Sequence, residues 1–324
     1  MTAKEIFDLV RDDLVRVEQE LALQHASAIE PVAEIASYLL GGGGKRLRPA
    51  LLLLSAGYAG YRGTSAIRLG AVVELIHSAT LIHDDVIDGA DTRRGRPSAN
   101  SRWGNHRSVL AGDWLYMQSF QMALEERNFK ILDVLIELTQ NMVEGELVQL
   151  NKLGRIDLTE QDALELASRK TACLFSGCAR LGAVLGNVDD ATEQGLADYG
   201  HFSGLAFQLV DDLLDFTASP EKLGKPVLSD LKEGKVTLPL IYALESDGAE
   251  GRRLVSAVLE EKSFDSVRPE QITELVRGSG AIERTRALAH EFARRAKASL
   301  NGESTTDCSR ALLTVPDFIL DREN

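Results

Sequence analysis

His77-Ser78-Ala79-Thr80-Leu81-Ile82-His83-Asp84-Asp85-Val86-Ile87-Asp88 is a mostly apolar run that closes on three carboxylates. Just upstream, Val72, Val73 and Ile76 continue into Thr80 at helical spacing, so the stretch reads as a helix ending in an acidic motif. Phe207-Gln208-Leu209-Val210-Asp211-Asp212-Leu213-Leu214-Asp215 repeats the design. A helix turns once in about 3.6 residues, which places Asp84 with Asp88, and Asp211 with Asp215, on one face. Like charges at that spacing repel, and carboxylates rarely sit among Leu and Ile without a counter-charge. One such motif alone is usually a solvated acidic helix end. Two copies with matching apolar flanks ask for cations between them, and magnesium held by carboxylates and substrate phosphates answers that need.

The rest of the chain is also helical in period. Ile6, Leu9, Val10, Leu14, Val17 and Leu21 recur at three and four residues, as do Ile131, Val134, Leu135, Leu138, Met142 and Val143. Convincing alternating strands are absent. Breakers fall where helix connections belong: Gly41 to Gly44, Gly95-Arg96-Pro97, Leu153-Gly154-Arg155, Ser219-Pro220, Gly224-Lys225-Pro226, Asp247-Gly248 and Asn301-Gly302. Thr159 followed by Asp162 reads as a helix start. No low-complexity linker divides the chain. The expectation is all-α: one large antiparallel helical bundle over residues 1–324, its site built inside from facing helices.

Composition narrows the function classes. With 324 residues, 44% of them hydrophobic, the chain can bury a large core, and 6% aromatic content makes that core aliphatic. A net charge of −13 argues against nucleic acid or an anionic membrane surface as main partner. Cys173, Cys178 and Cys308 are too few for a disulfide framework and read as thiols in a reducing compartment. Met1 to Glu20 is charged and amphipathic, unlike a secretory signal. The run Pro49 to Gly57 is too short to span a bilayer. A cytoplasmic protein without an integral membrane segment is expected.

Two basic segments complete the pattern. In Gly42-Gly43-Gly44-Lys45-Arg46-Leu47-Arg48-Pro49, glycines free the backbone to approach a ligand and the following helix start favours anions. Lys45 and Arg48 add cationic donors, giving a diphosphate cradle without Walker spacing. A flexible loop with a solvated basic patch fits that segment equally well. Beyond the first acidic motif, Asp91-Thr92-Arg93-Arg94-Gly95 offers two guanidiniums to the carboxylates or to phosphate oxygens.

GGGKRLRP, HDDVIDGADTRRG, EGELVQL, SRKTACLF, FQLVDDLLD and GKPVLSDLKEGKVTLP, in this order, resemble the trans-isoprenyl (polyprenyl) diphosphate synthases, most of all the long-chain octaprenyl-type enzymes that make quinone side chains. The resemblance covers about residues 40 to 240 and implies the isoprenoid-synthase bundle with a central cavity. It implies condensation of isopentenyl diphosphate onto an allylic diphosphate, farnesyl or geranyl. Asp84 and Asp88, with Asp85 supporting, and Asp211, with Asp212 and Asp215, would hold Mg2+, three ions once substrate is bound. Arg93, Lys170, Thr171, Gln208, Lys225 and Lys235 would assist the allylic diphosphate, Lys170 and Lys225 in catalytic roles. Lys45, Arg48, His77 and Arg94 would hold isopentenyl diphosphate. A homodimer is implied as well.

Within this resemblance Ala79, followed by Thr80 and with Ile76 the next residue on that side, stands where short-chain relatives carry a bulky aromatic block. A small side chain there leaves a path for a growing apolar chain, so the expected product is roughly C35 to C50. Shorter-chain synthesis (C15 to C25) is the alternative, and a non-catalytic subunit of a heteromeric synthase a weaker one, since the second motif is intact. A terpene cyclase would not need the Lys45/Arg48 cradle. Gly89 and Leu228 depart from the family pattern, where an acidic residue and a glycine are common.

Overall fold

The computed structural model describes residues 1–26, 29–41, 46–93, 95–218, 227–300 and 306–323. The chain is all-α as expected. The first eleven helices are α1 (Ala3–Leu9), α2 (Arg11–Ala26), α3 (Glu30–Leu40), α4 (Leu47–Tyr58), α5 (Ser65–Ile87), α6 (Ala99–Trp103), α7 (Asn105–Glu125), α8 (Phe129–Lys152), α9 (Glu160–Ala167), α10 (Cys173–Gly186) and α11 (Asp190–Thr217). Helices Ser229–Lys232, Leu238–Glu261, Pro269–Gly278, Ala281–Ser299 and Asp307–Leu320 follow. Thr159 caps α9, its hydroxyl accepting from the Asp162 amide while the Asp162 carboxylate accepts from the Thr159 amide. Gly248, at φ +66, breaks Leu238–Glu261 where Asp247-Gly248 predicted a connection. The Gly42–Lys45 loop, Arg94, the 219–226 segment with Lys225, and Asn301-Gly302 lie outside the described residues.

One connection differs from expectation. Thr92–Arg93 and Arg96–Pro97 form a two-residue antiparallel ladder, the only strands among the described residues. Two residues cannot display the alternation that identifies a strand.

Packing groups the chain into two compact units. The first holds Met1–Thr139, Leu174–Gly200 and Ser299–Val315; the second holds Gln140–Cys173, His201–Ala298 and Pro316–Asn324. Helices α8 and α11 contribute residues to both.

In the first unit α5 packs against α7, α4 and α2. Leu69, Val72, Val73, Leu75, Ile76, Ala79 and Ile82 have no exposed surface. A helix apolar on all sides is a core helix. By length and composition α5 is also long and apolar enough to cross a membrane, unlike the shorter Pro49 to Gly57 run, but 72% of its apolar window is buried inside the protein. Helix α7 closes on α5 at Gly112, where an added Cβ would stand 2.3 Å from His83 Nε2. Asp88 caps the C-terminus of α5, and Gly89 follows at φ +63. Gly89 therefore serves as a helix stop, which a residue with a Cβ adopts less readily.

In the second unit helix Leu238–Glu261 packs against Pro269–Gly278, α9 and Ser229–Lys232. The Tyr242 hydroxyl donates to Glu160 Oε2 at 2.7 Å. Leu228 takes the left-handed conformation (φ +56) with its side chain fully buried, and its amide donates to Asp215 O at 3.3 Å. That backbone conformation favours the glycine common there in the family pattern.

Candidate active site

Both acidic motifs lie at the C-terminal ends of their helices, α5 ending at Ile87 and α11 at Thr217. The helix macrodipole is negative there, so it adds to the repulsion among the carboxylates. Each unit offsets that cost with an internal cation.

In the first unit Arg93 donates from Nε (2.7 Å) and Nη2 (2.5 Å) to Asp85 Oδ1. Asp85 is fully buried, and its Oδ2 has no hydrogen-bond partner among the described residues. Burial raises the Asp85 pKa, Arg93 opposes the rise, and the Asp88 charge adds to it. Arg48, in the first turn of α4, places Nη1 3.0 Å from His77 Nε2 and its guanidinium 5.3 Å from the Phe175 ring. His77, about two turns before Asp84, thus lies beside Arg48. A cavity of about 40 Å³ reaches His77, Arg93, Arg46 and Glu74. Ser78 and Leu81 line it, whereas Ile76, Ala79 and Thr80 do not. Ile76 and Ala79 are fully buried, and the Thr80 hydroxyl donates to the His77 carbonyl at 2.7 Å.

In the second unit the α9–α10 junction widens into a π-turn, Ser168–Ala172, which carries Lys170 and Thr171. Such bulges often mark functional sites. Gly145 permits the approach: a Cβ on it would stand 2.8 Å from Arg169 Cβ and 3.1 Å from Lys170 Cγ. Lys170 pairs with Glu146 and donates to Gln149 Oε1 at 3.0 Å. Thr171 Oγ1 donates to Gln208 Oε1 (2.6 Å), and Gln208 Nε2 donates to Asp212 Oδ1 (2.8 Å). Burial pushes the Asp212 carboxyl up to about 8, Gln208 opposes this, and the charges of Asp230, Asp211 and Asp215 add to the rise. Arg322, near the C-terminus, pairs with Asp211 at 2.8 Å and covers the Phe207 ring at 4.3 Å. Lys235 Nζ donates to Glu233 Oε2 at 2.7 Å.

Three expected residues, Lys45, Arg94 and Lys225, lie outside the described residues. Sequence reading assigned no role to Glu146, Gln149, Arg322 or Asp230. The EGELVQL segment carried the first two, but only packing reveals that they grip Lys170.

Among the described residues, no three His, Cys, Asp or Glu side chains come together as a metal cage. Each unit carries a hard-oxygen donor that burial holds back from ionising, Asp85 with its unpartnered Oδ2 in the first and Asp212 in the second, and each fits a cation that completes its shell with water and phosphate, as Mg2+ does. In the first unit Asp84 and Asp88 would hold such an ion, and in the second Asp211 would.

A family model described as "Polyprenyl synthetase" matches residues 29–276. Octaprenyl diphosphate synthase of Escherichia coli (strain K12) is 36% identical over 100% of both chains. A crystal structure of polyprenyl synthase from Caulobacter crescentus CB15, complexed with calcium and isoprenyl diphosphate, superposes with TM-score 0.95 at 36% identity, covering 100% of this chain and 98% of that one. A decaprenyl diphosphate synthase from Rhodobacter capsulatus superposes with TM-score 0.92 at 33% identity over 99% of both chains.

Proposed function

Because this chain belongs to the polyprenyl synthetase family, we propose that it is a magnesium-dependent prenyltransferase joining isopentenyl diphosphate head-to-tail to an allylic diphosphate, farnesyl or geranyl. The product is a long-chain all-trans polyprenyl diphosphate, as the names of the octaprenyl and decaprenyl relatives support. A single catalytic domain over residues 1–324, a homodimeric state and a cytoplasmic location belong to the same proposal.

The observation that carries it is the pair of aspartate motifs at helix C-termini, each with a carboxyl, Asp85 or Asp212, whose pKa burial raises. Asp84 and Asp88, supported by Asp85, and Asp211, with Asp212 and Asp215, are the metal ligands in this reading. Bound magnesium supplies positive charge to the departing diphosphate of the allylic substrate. Arg93, Lys170, Thr171, Gln208 and Lys235 orient that diphosphate, and Lys225 belongs with them by resemblance. Arg48 and His77, with Lys45 and Arg94, fix the diphosphate of isopentenyl diphosphate, so its double bond is presented to the allylic cation in a set direction. Loss of a proton to the departed diphosphate restores neutrality. The aliphatic core around α5 keeps water from quenching the cation. These carboxylates serve as ligands rather than as general acids or bases.

The test is incubation of the purified protein with Mg2+, labelled isopentenyl diphosphate and farnesyl diphosphate, followed by sizing of the products. Chains of about C35 to C50 are expected from the small side chain at Ala79 and from the long-chain relatives. A stop at C20 or C25 keeps the chemistry and refutes the length, and no elongation from any allylic primer refutes the proposal.

A further inference from the structure

Arg46 sits between the two cations of the basic segment that the sequence marks as diphosphate ligands, yet its own guanidinium is already engaged. Nε pairs with Glu18 Oε1, Nη2 donates to Glu18 Oε2 at 3.3 Å, and Nη1 donates to Glu74 Oε1 at 2.6 Å. Its side chain is 10% exposed and that of Glu74 only 7%. Two carboxylates against one guanidinium leave the cluster net negative, which repels a diphosphate.

The cluster's position gives it another use. Arg46 is the N-cap of α4 in the left-handed region (φ +46), a conformation disfavoured for a residue with a Cβ, and its side chain makes no capping bond. Glu18 lies on α2 and Glu74 on α5, so Arg46 ties the start of α4 to both helices. His77 follows Glu74 by three residues on the same face of α5, and Arg48 follows Arg46 by two. Two clamps therefore join α4 to α5 side by side, Arg46 to Glu74 and Arg48 to His77. The cavity that touches His77 also touches Arg46 and Glu74.

We infer that Arg46, through Glu74 and Glu18, is a positioning residue that holds Arg48 and His77 in register for the diphosphate of isopentenyl diphosphate and does not bind that diphosphate itself. This rests on the assignment of Arg48 and His77 to that substrate.

The experiment measures the Kd for isopentenyl diphosphate by calorimetry on the full chain, together with KM for both substrates, kcat and Tm. The variants are Arg46→Met, Arg46→Lys, Glu74→Gln and Glu18→Gln, with Arg48→Met and His77→Ala run alongside. Misplacing a binding group by a fraction of an ångström costs about tenfold or more. Arg46→Met and Glu74→Gln should therefore both raise the Kd for isopentenyl diphosphate by that factor, with the allylic KM unchanged. Glu18→Gln, at a half-exposed site that tolerates change, should act in the same direction but less. Arg46→Lys should recover only part, because an ammonium lacks the planar fork. A rise in Arg46→Met without one in Glu74→Gln would make Arg46 a direct ligand and overturn the inference. Lower Tm with unchanged Kd across the set would reduce the cluster to a fold-stabilising one. Unchanged Kd in Arg48→Met and His77→Ala would overturn the substrate assignment beneath it.

Discussion

Asp84 and Asp211 illustrate what single residues disclose. In the proposed function either Ala replacement would remove a metal ligand where electrostatic stabilisation of the leaving group is concentrated, and turnover at saturating Mg2+ should fall at least ~10²-fold. Steady-state kinetics check this, and near-wild-type rates in either variant would remove that residue from the metal set. Ala79 makes a separate prediction. It has no exposed surface and sits five positions before Asp84. Ala79→Tyr should shorten the products on chromatography, whereas an unchanged length would place the stop at another residue. The aspartates were legible in the sequence because a spacing of four on a helix is a local property. Arg93, close in the chain, was legible as a partner of Asp85 as well, but distant pairings were not. That Arg322 would reach Asp211, or Glu146 reach Lys170, depends on how distant segments pack, and no local pattern encodes it.

Helices were legible for the same local reason, from the apolar period of α2, α5 and α8 and from the Thr159–Asp162 cap of α9. The π-turn at Ser168–Ala172 was not, because one extra residue in a turn leaves no signature in an apolar period. Its stability depends on Gly145. Gly145→Val places branched carbon where Arg169 Cβ is already 2.8 Å from an ideal Cβ. The turn must then shift and carry Lys170 with it, so the allylic KM should rise about tenfold or more while Tm drops only modestly. An unaltered KM would separate the turn from substrate binding. The α9 cap predicts a pH dependence. The Lys152 ammonium, then the Thr159 hydroxyl and amide, hold the Asp162 carboxyl well below the usual carboxylate range. A lowered folded-state pKa contributes stability above the unfolded value, near 4, and loses it as pH falls through the folded one. The Tm gap between wild type and Asp162→Asn should therefore be full at neutral pH and narrow progressively below about pH 4. A gap independent of pH would mean that the cap acts by shape rather than charge.

For the whole molecule, the surface of α7 and α8 adds what the core does not explain. Leu110, Met117 and Leu124 recur every seven residues on α7 at 65%, 64% and 45% exposure. On α8, Phe129, Ile136 and Val143 repeat the same spacing, with Leu147 and Leu150 beyond them, all exposed. Isolated apolar residues on a surface need no explanation, but rows at heptad spacing are how one helix presents itself to another. A second copy of this chain is the partner that the proposed homodimer supplies, and its own α7 and α8 would bring matching rows to an isologous contact. The single sequence concealed these rows, because a heptad of Leu, Met and Ile reads equally well as core until burial is known. Light scattering coupled to size exclusion should give twice the chain mass for the wild type. Met117→Glu combined with Ile136→Glu places a charge in each row, where desolvating it on association is costly. That variant should elute at the mass of one chain with its helical circular dichroism intact. A dimer that survives both charges would show that the subunits meet through another surface.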